Sequence, residues 1–186
     1  MKRMFDLLLA LAMAIVMVIP ILFLVVMVRM TSSGPALYWS DRVGRGNKLF
    51  KMPKFRSMHI GTPVVASHLL ADPKSHLTLI GNFLRKSSLD ELPQLWSILV
   101  GDMSFVGPRP ALYSQDDLIA LRTEKGVSKL LPGITGWAQV KGRDELSIPD
   151  KVALDEEYLI CQSFWFDMKI LWITFFKVVK FDGVSH

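Results

Sequence analysis

Residues 7–28 form an uninterrupted apolar run with no charged side chain, and no other feature limits the fold as strongly. Wound as a helix, the run is long enough to cover a bilayer core of about 30 Å. A cleaved signal peptide is a poor match, because the run is long for such a segment and Arg29-Met30-Thr31 offers no small-x-small site after it. Lys2 and Arg3 precede the run, while Arg29, Arg42, Arg45 and Lys48 follow it. Both flanks therefore read as cytoplasmic by the positive-inside rule. Pro20 sits inside the run, where it removes one helical hydrogen bond and favours a bend. A re-entrant helix satisfies both observations, and a kinked single span, which tolerates proline, is an equal reading on physical grounds.

The rest of the chain has room for one globular core attached to that element, since the total is 186 residues. Hydrophobic residues make up 51% and mean hydropathy is +0.32, with the excess at the two ends, which makes membrane association the first expectation. A net charge of +5 suits anionic partners such as lipid headgroups, nucleic acid or a phosphorylated substrate. Nucleic acid fits poorly, because the basic residues are spread among glycine-proline loops and the aromatics gather at the apolar C-terminus. Cys161 is the single cysteine, so no intrachain disulfide forms, and it reads as a packing residue.

Thr31-Ser32-Ser33-Gly34-Pro35 closes the apolar run with turn chemistry, dividing a membrane element at 1–30 from a domain at 31–186. Residues 36–39 and 48–52 read as two short strands of a hairpin. Residues 61–73 carry two prolines and little periodicity, as an irregular loop would. Helices are expected near 78–86, 92–100, 114–125 and 149–161. Residues 163–180 are dense in aromatics punctuated by Lys169, Lys177 and Lys180, which suits a helix lying in the headgroup layer rather than a dry core. The expected class is α+β and mostly helical, with amphipathic interfacial helices around a cytoplasmic core.

Asp90 and Glu91, in Ser87-Ser88-Leu89-Asp90-Glu91-Leu92-Pro93-Gln94-Leu95, are the informative carboxylates. Adjacent residues of a helix point about 100° apart, so the two side chains serve different tasks. A capping box from Ser88 to Glu91 explains them without chemistry. Pro93 counts against it, because a proline beyond the first helical position disrupts the ladder. An irregular helix start exposes carboxylate and N–H groups together, as a site for phosphate and a divalent cation would. Cations suited to a diphosphate lie at Lys54, Arg56, Arg85, Lys86, Arg109 and Arg143. Arg109 stands out because Gly107-Pro108-Arg109-Pro110 stiffens the backbone on both sides. Pro132-Gly133-Ile134-Thr135-Gly136-Trp137 is a second constrained loop, followed by Gln139. No nucleotide-triphosphatase phosphate loop or dinucleotide fingerprint occurs, and His59, His68, His76 and His186 lack metal-ligand spacing.

Four segments in order carry a specific resemblance: Lys54-Phe55-Arg56-Ser57-Met58, Ser88-Leu89-Asp90-Glu91-Leu92-Pro93-Gln94-Leu95, Gly101 through Pro110, and Leu131 through Val140. Together they resemble the bacterial sugar transferases, the monotopic phosphoglycosyl transferases, in the small kind that is a catalytic domain alone. The resemblance implies that Asp90 attacks the sugar-bearing phosphorus of a UDP-sugar, releases UMP and holds the phosphosugar until polyprenyl (undecaprenyl) phosphate displaces it. Asp90 and Glu91 are then the catalytic residues and ligands of Mg²⁺, with Lys54, Arg56, Arg85, Arg109, Gln139 and Arg143 binding substrate. It further implies a first helix broken at Pro20 and re-entrant, so that both ends face the cytoplasm at the bacterial inner membrane in contact with membrane lipids. Homodimerisation is left open. In this chain Ile19 stands where serine often precedes that proline, and residues 59–75 depart from the acidic, glycine-bearing stretch of many members. Two rivals are a silent scaffold that binds lipid phosphates and a hydrolase that lets water finish the reaction.

Overall fold

The computed structural model describes residues 1–63, 72, 74–142 and 145–179. Helix α1 spans Lys2–Thr31, about 45 Å of axial rise. Pro20 lies within it, and helical geometry continues on either side. Among the described residues this is the one helix whose length and composition suffice to cross a membrane. Its last turn is closed by side chains: the hydroxyl of Thr31 donates to the Met27 carbonyl at 2.7 Å and that of Ser32 to Val28 at 3.0 Å. These bonds satisfy carbonyls the helix itself leaves open.

Strands β1 (Leu37–Val43) and β2 (Leu49–Phe55) pair antiparallel in full register around a 3-10 turn at Arg45–Asn47, so the expected hairpin is present and longer than its hydrophobic pattern indicated. The other edge of β1 takes a short strand, β4 (Ala111–Leu112), giving the order β2-β1-β4. A second sheet is the parallel pair β3 (Ser104–Val106) and β5 (Gly133–Thr135). It joins the two glycine-proline segments that the sequence presents as separate loops. The Gly107 amide donates to the Thr135 carbonyl and the Gly133 amide to Pro108, both at 2.9 Å. A Cβ on Gly133 or Gly136 would collide with the Gly107 backbone, so both glycines permit this close approach.

Helices α2 (Gly81–Lys86), α3 (Leu95–Val100), α4 (Asp116–Glu124), α5 (Trp137–Lys141), α6 (Ile148–Cys161) and α7 (Phe164–Val179) complete the mostly helical chain. Five of them answer to the expected helices. The sixth, α5, falls where a constrained loop was expected, because the β5 pairing leaves Trp137 free to begin a turn whose Val140 amide bonds Gly136. Cys161 corrects an expectation: it is exposed at the end of α6, while Tyr158, one turn earlier, faces the core.

Both ends of α1 are built into the globular part. Ala10 packs in the main core with Ile98, Phe105, Tyr158 and Ile170, whereas Leu24 and Val28 pack with Phe55 and Leu84. Polar groups reinforce the first attachment. Buried Asp6 accepts from the Ser104 hydroxyl at 2.8 Å, and Lys2 pairs with Asp167 at 2.6 Å, which also accepts from Tyr158. Arg3 donates to the carbonyls of Ile98 and Leu99 at the end of α3. Between these attachments Ile15, Val16, Val18, Ile19, Leu22 and Phe23 are exposed. On α7, Asp167 and Ile170 are buried while Trp165, Trp172, Phe175 and Phe176 are exposed, a division suited to one face in the core and the other in lipid.

Candidate active site

Asp90 and Glu91 occupy a 3-10 turn, Leu89–Gln94, entered through Ser88 in the left-handed region at φ 56°. The Ser88 side chain makes no cap hydrogen bond, so the capping-box explanation does not hold. Pro93 lies inside the turn, which then continues as α3.

Asp90 is 8% exposed. Burial pushes its carboxyl above the ordinary range and the adjacent Glu91 adds to that, while Lys54, Arg85 and Arg109 pull it down. Burial prevails over three cations. Glu91 accepts from Lys54 at 2.8 Å and lies 3.6 Å from an Arg109 nitrogen. Lys54 is delivered by β2, Arg85 by the last turn of α2, and Arg109 by the loop before β4.

The Arg109 loop is held at three successive carbonyls. Pro108 accepts from the Gly133 amide at 2.9 Å, Arg109 from Arg122 at 2.8 Å, and Pro110 from Arg42 at 3.3 Å. Arg122 is itself locked by Asp155, donating from Nε at 3.0 Å and from a second nitrogen at 2.6 Å to the same carboxylate oxygen, Oδ2, with both partners buried. Burial raises the Asp155 carboxyl and Arg122 opposes it. Burial, with Arg109 close by, lowers the Arg42 guanidinium to about 10, while Tyr38 and Glu91 act the other way.

Lys54, Arg85 and Arg109 thus converge on the Asp90–Glu91 pair. Arg56 is placed differently. It is buried and donates to the Ser33 carbonyl at 2.7 Å, tying the exit of α1 to the end of β2. Gln139 lies on a groove wall shared with Glu91; its amide nitrogen donates to Ile134 at 2.9 Å and its oxygen is buried without a partner. Arg143 lies outside the described residues. Among those residues, no group of three or more His, Cys, Asp or Glu side chains converges. Sequence reasoning did not assign Arg42 or Arg122 to the site. Ending the first strand at Trp39 hid Arg42, whereas extending its alternation would have put Arg42 on the same face as Ser40. No local signal marks Arg122, whose partner lies on α6.

A buried aspartate beside a second carboxylate, with cations from three separate elements around it, occurs here in a chain whose residues 1–181 match the family model for the bacterial sugar transferases. The chain belongs to that family. Its relatives among the bacterial sugar transferases include the uncharacterized sugar transferase EpsL of Bacillus subtilis strain 168, 40% identical over the whole chain and 90% of that protein. The UDP-glucose:undecaprenyl-phosphate glucose-1-phosphate transferase of Escherichia coli K12 is 39% identical over 95% of this chain and 39% of its own length. The undecaprenyl-phosphate galactose phosphotransferase of Salmonella typhimurium LT2 is 39% identical over 81% of the chain and 34% of its length. The chain therefore corresponds to nearly all of the Bacillus sugar transferase and to under half of the two enteric ones.

Proposed function

We propose that this bacterial sugar transferase moves a sugar 1-phosphate from a UDP-sugar to polyprenyl phosphate, releasing UMP. The buried Asp90 within reach of Lys54, Arg85 and Arg109 is the observation that carries the reading, and the names of the enteric relatives support the substrates. In the first step an Asp90 oxygen attacks the sugar-bearing phosphorus, and the bond from that phosphorus to the bridging oxygen breaks. UMP leaves with that oxygen. In the second step a phosphate oxygen of the lipid attacks the same phosphorus and expels Asp90 as carboxylate. No proton need move in either step, so the protein's task is positioning and charge neutralisation.

Lys54 and Arg109 hold Glu91, and with Arg85 they offset the negative charge gathered around Asp90. Asp90 and Glu91 suit a Mg²⁺ ion, which takes one or two carboxylates and completes its shell with substrate phosphate and water. Bound there, the ion would neutralise charge developing on the transferred phosphoryl group. In this reading the enzyme sits in the bacterial inner membrane with its catalytic side in the cytoplasm, and α1 is re-entrant at Pro20. The attachment of both ends of one apolar helix to the same domain supports that topology.

The test supplies UDP-sugar and Mg²⁺ without lipid acceptor. About one equivalent of UMP per site should appear in a burst, with a phosphosugar adduct on the Asp90 peptide. UMP appearing only after polyprenyl phosphate is added, with no adduct, would replace the covalent route by direct transfer.

A further inference from the structure

A groove of about 550 Å³ lies beside the carboxylate turn, between the first half of α1 and the outer half of α7. Leu9 and Met13 form one wall, Leu171, Phe175 and Val178 the other, and Ile134 and Val140 also line it. Gln139, Lys141 and Glu145, on and just after α5, and Lys177 on α7 supply much of its polar lining. Thr135 and Thr174 satisfy one another at 2.7 Å, and Ser88 and Glu91 enter from the carboxylate turn. The wall from α1 and most of that from α7 are hydrocarbon, where uracil, ribose or phosphate would leave polar atoms unpaired, a cost of several kcal/mol per group. Those two walls suit an apolar chain.

Which chain is decided by what adjoins it. Phe175 and Val178 line the groove and are also exposed, so its mouth opens on the outer surface of α7. That surface carries Trp172 and Phe176, and across the groove the outer face of α1 carries Leu8 and Leu11, all exposed apolar residues suited to lipid. The groove therefore joins a lipid-facing surface to Glu91, the neighbour of Asp90. A molecule with a long hydrocarbon tail and a phosphate head matches both ends at once.

We infer that this groove binds the phosphate-proximal isoprene units of the acceptor lipid, between α1 and α7, so that its phosphate arrives beside Glu91. The inference rests on the transferase reading given above. The volume falls within the range of about 300–1,000 Å³ that holds a compact ligand, so the remainder of a long isoprenoid stays in the bilayer. Lys141 and Lys177 are the cations lining the groove among the described residues. They offset the two acids of the lining, Glu91 and Glu145, which would otherwise repel an anionic head.

A diazirine-bearing undecaprenyl phosphate, photolysed with the full chain in phosphatidylethanolamine nanodiscs, tests the site directly. Label is expected on peptides containing Leu9–Met13 and Leu171–Val178, reduced by excess undecaprenyl phosphate and not by phosphatidylglycerol. Label elsewhere, or equal competition by phosphatidylglycerol, overturns the inference. Val178→Trp, at the exposed mouth, should raise KM for undecaprenyl phosphate about tenfold while KM for the UDP-sugar stays put. A change in both constants together also counts against the groove. If no UDP-sugar yields a lipid-linked product but the specific labelling persists, the transferase reading falls and the lipid site stands.

Discussion

Arg122 donates to the main-chain carbonyl of Arg109 at 2.8 Å, so the residue that reaches Glu91 is held from behind by a second arginine. Because Arg122 is locked against Asp155, Arg122→Met alone strands a buried carboxylate and should cost about 3–5 kcal/mol of stability. The double variant Arg122→Met/Asp155→Leu should recover most of that loss in thermal unfolding. Transfer activity should remain low in the double variant, because the Arg109 loop has still lost one of its three carbonyl contacts. Full activity there would mean that the Arg109 loop does not need this support.

Arg109→Ala should reduce kcat/KM roughly ten- to a hundredfold, the worth of a charge-assisted hydrogen bond of about 1.5–3 kcal/mol. Arg109→Lys should recover only part, since a point charge on a flexible stem replaces a planar fork. Steady-state kinetics with the UDP-sugar varied would measure this, and wild-type constants in folded variants would remove Arg109 from the site.

Asp90→Asn should lower turnover by at least about 10³-fold while leaving the fold intact or more stable. The stability sign follows from burial. The native carboxyl titrates above its unfolded value, so stability falls as pH rises from the unfolded value through the native one. Above the native value the ionised side chain carries that full cost, and an uncharged amide removes it. A lower melting temperature for the asparagine variant at pH 7 would contradict this account of the site.

The pH dependence of the UMP burst follows from the same environment. An ionised Asp90 is required, so the rate should climb with pH along a limb displaced upward from the ordinary carboxylate value of about 3.9. Lys54→Met should displace the limb further upward. It removes the cation that most opposes the burial effect, and it also takes away one of the cations beside Glu91, whose negative charge acts in the same direction. Rapid-quench bursts over a pH series would reveal a limb in the ordinary range if burial did not govern Asp90.

For topology, a Cys161→Ser background carrying Met4→Cys should be labelled by impermeant maleimide from the cytoplasmic side alone, because the first turn of α1 is tied to the domain through Lys2, Arg3 and Asp6. Labelling from the periplasm alone would make α1 a single span. Replacing Pro20 with leucine should move part of the population toward a full crossing.

The apolar run, the turn chemistry that ends it, the hairpin, most of the helices and the cation-carboxylate motifs were all readable in order along the chain. These depend on local periodicity and on residues with unusual backbone demands, such as Pro20, Pro93 and the glycines of 101–142. Tertiary structure alone decided which of the cations face Asp90. Lys54 was brought to Glu91 by strand pairing, Arg56 was diverted to the carbonyl of Ser33, and Arg42 and Arg122 became supports of the Arg109 loop. The parallel pairing of β3 with β5 and the groove between α1 and α7 were equally hidden, since each joins segments far apart in the chain. Such long-range contacts impose no period on nearby residues, and a guanidinium bound to a distant carboxylate has the same local pattern as one in water. The residue types of the site were therefore written along the chain, and their division into reacting, supporting and anchoring groups came from packing.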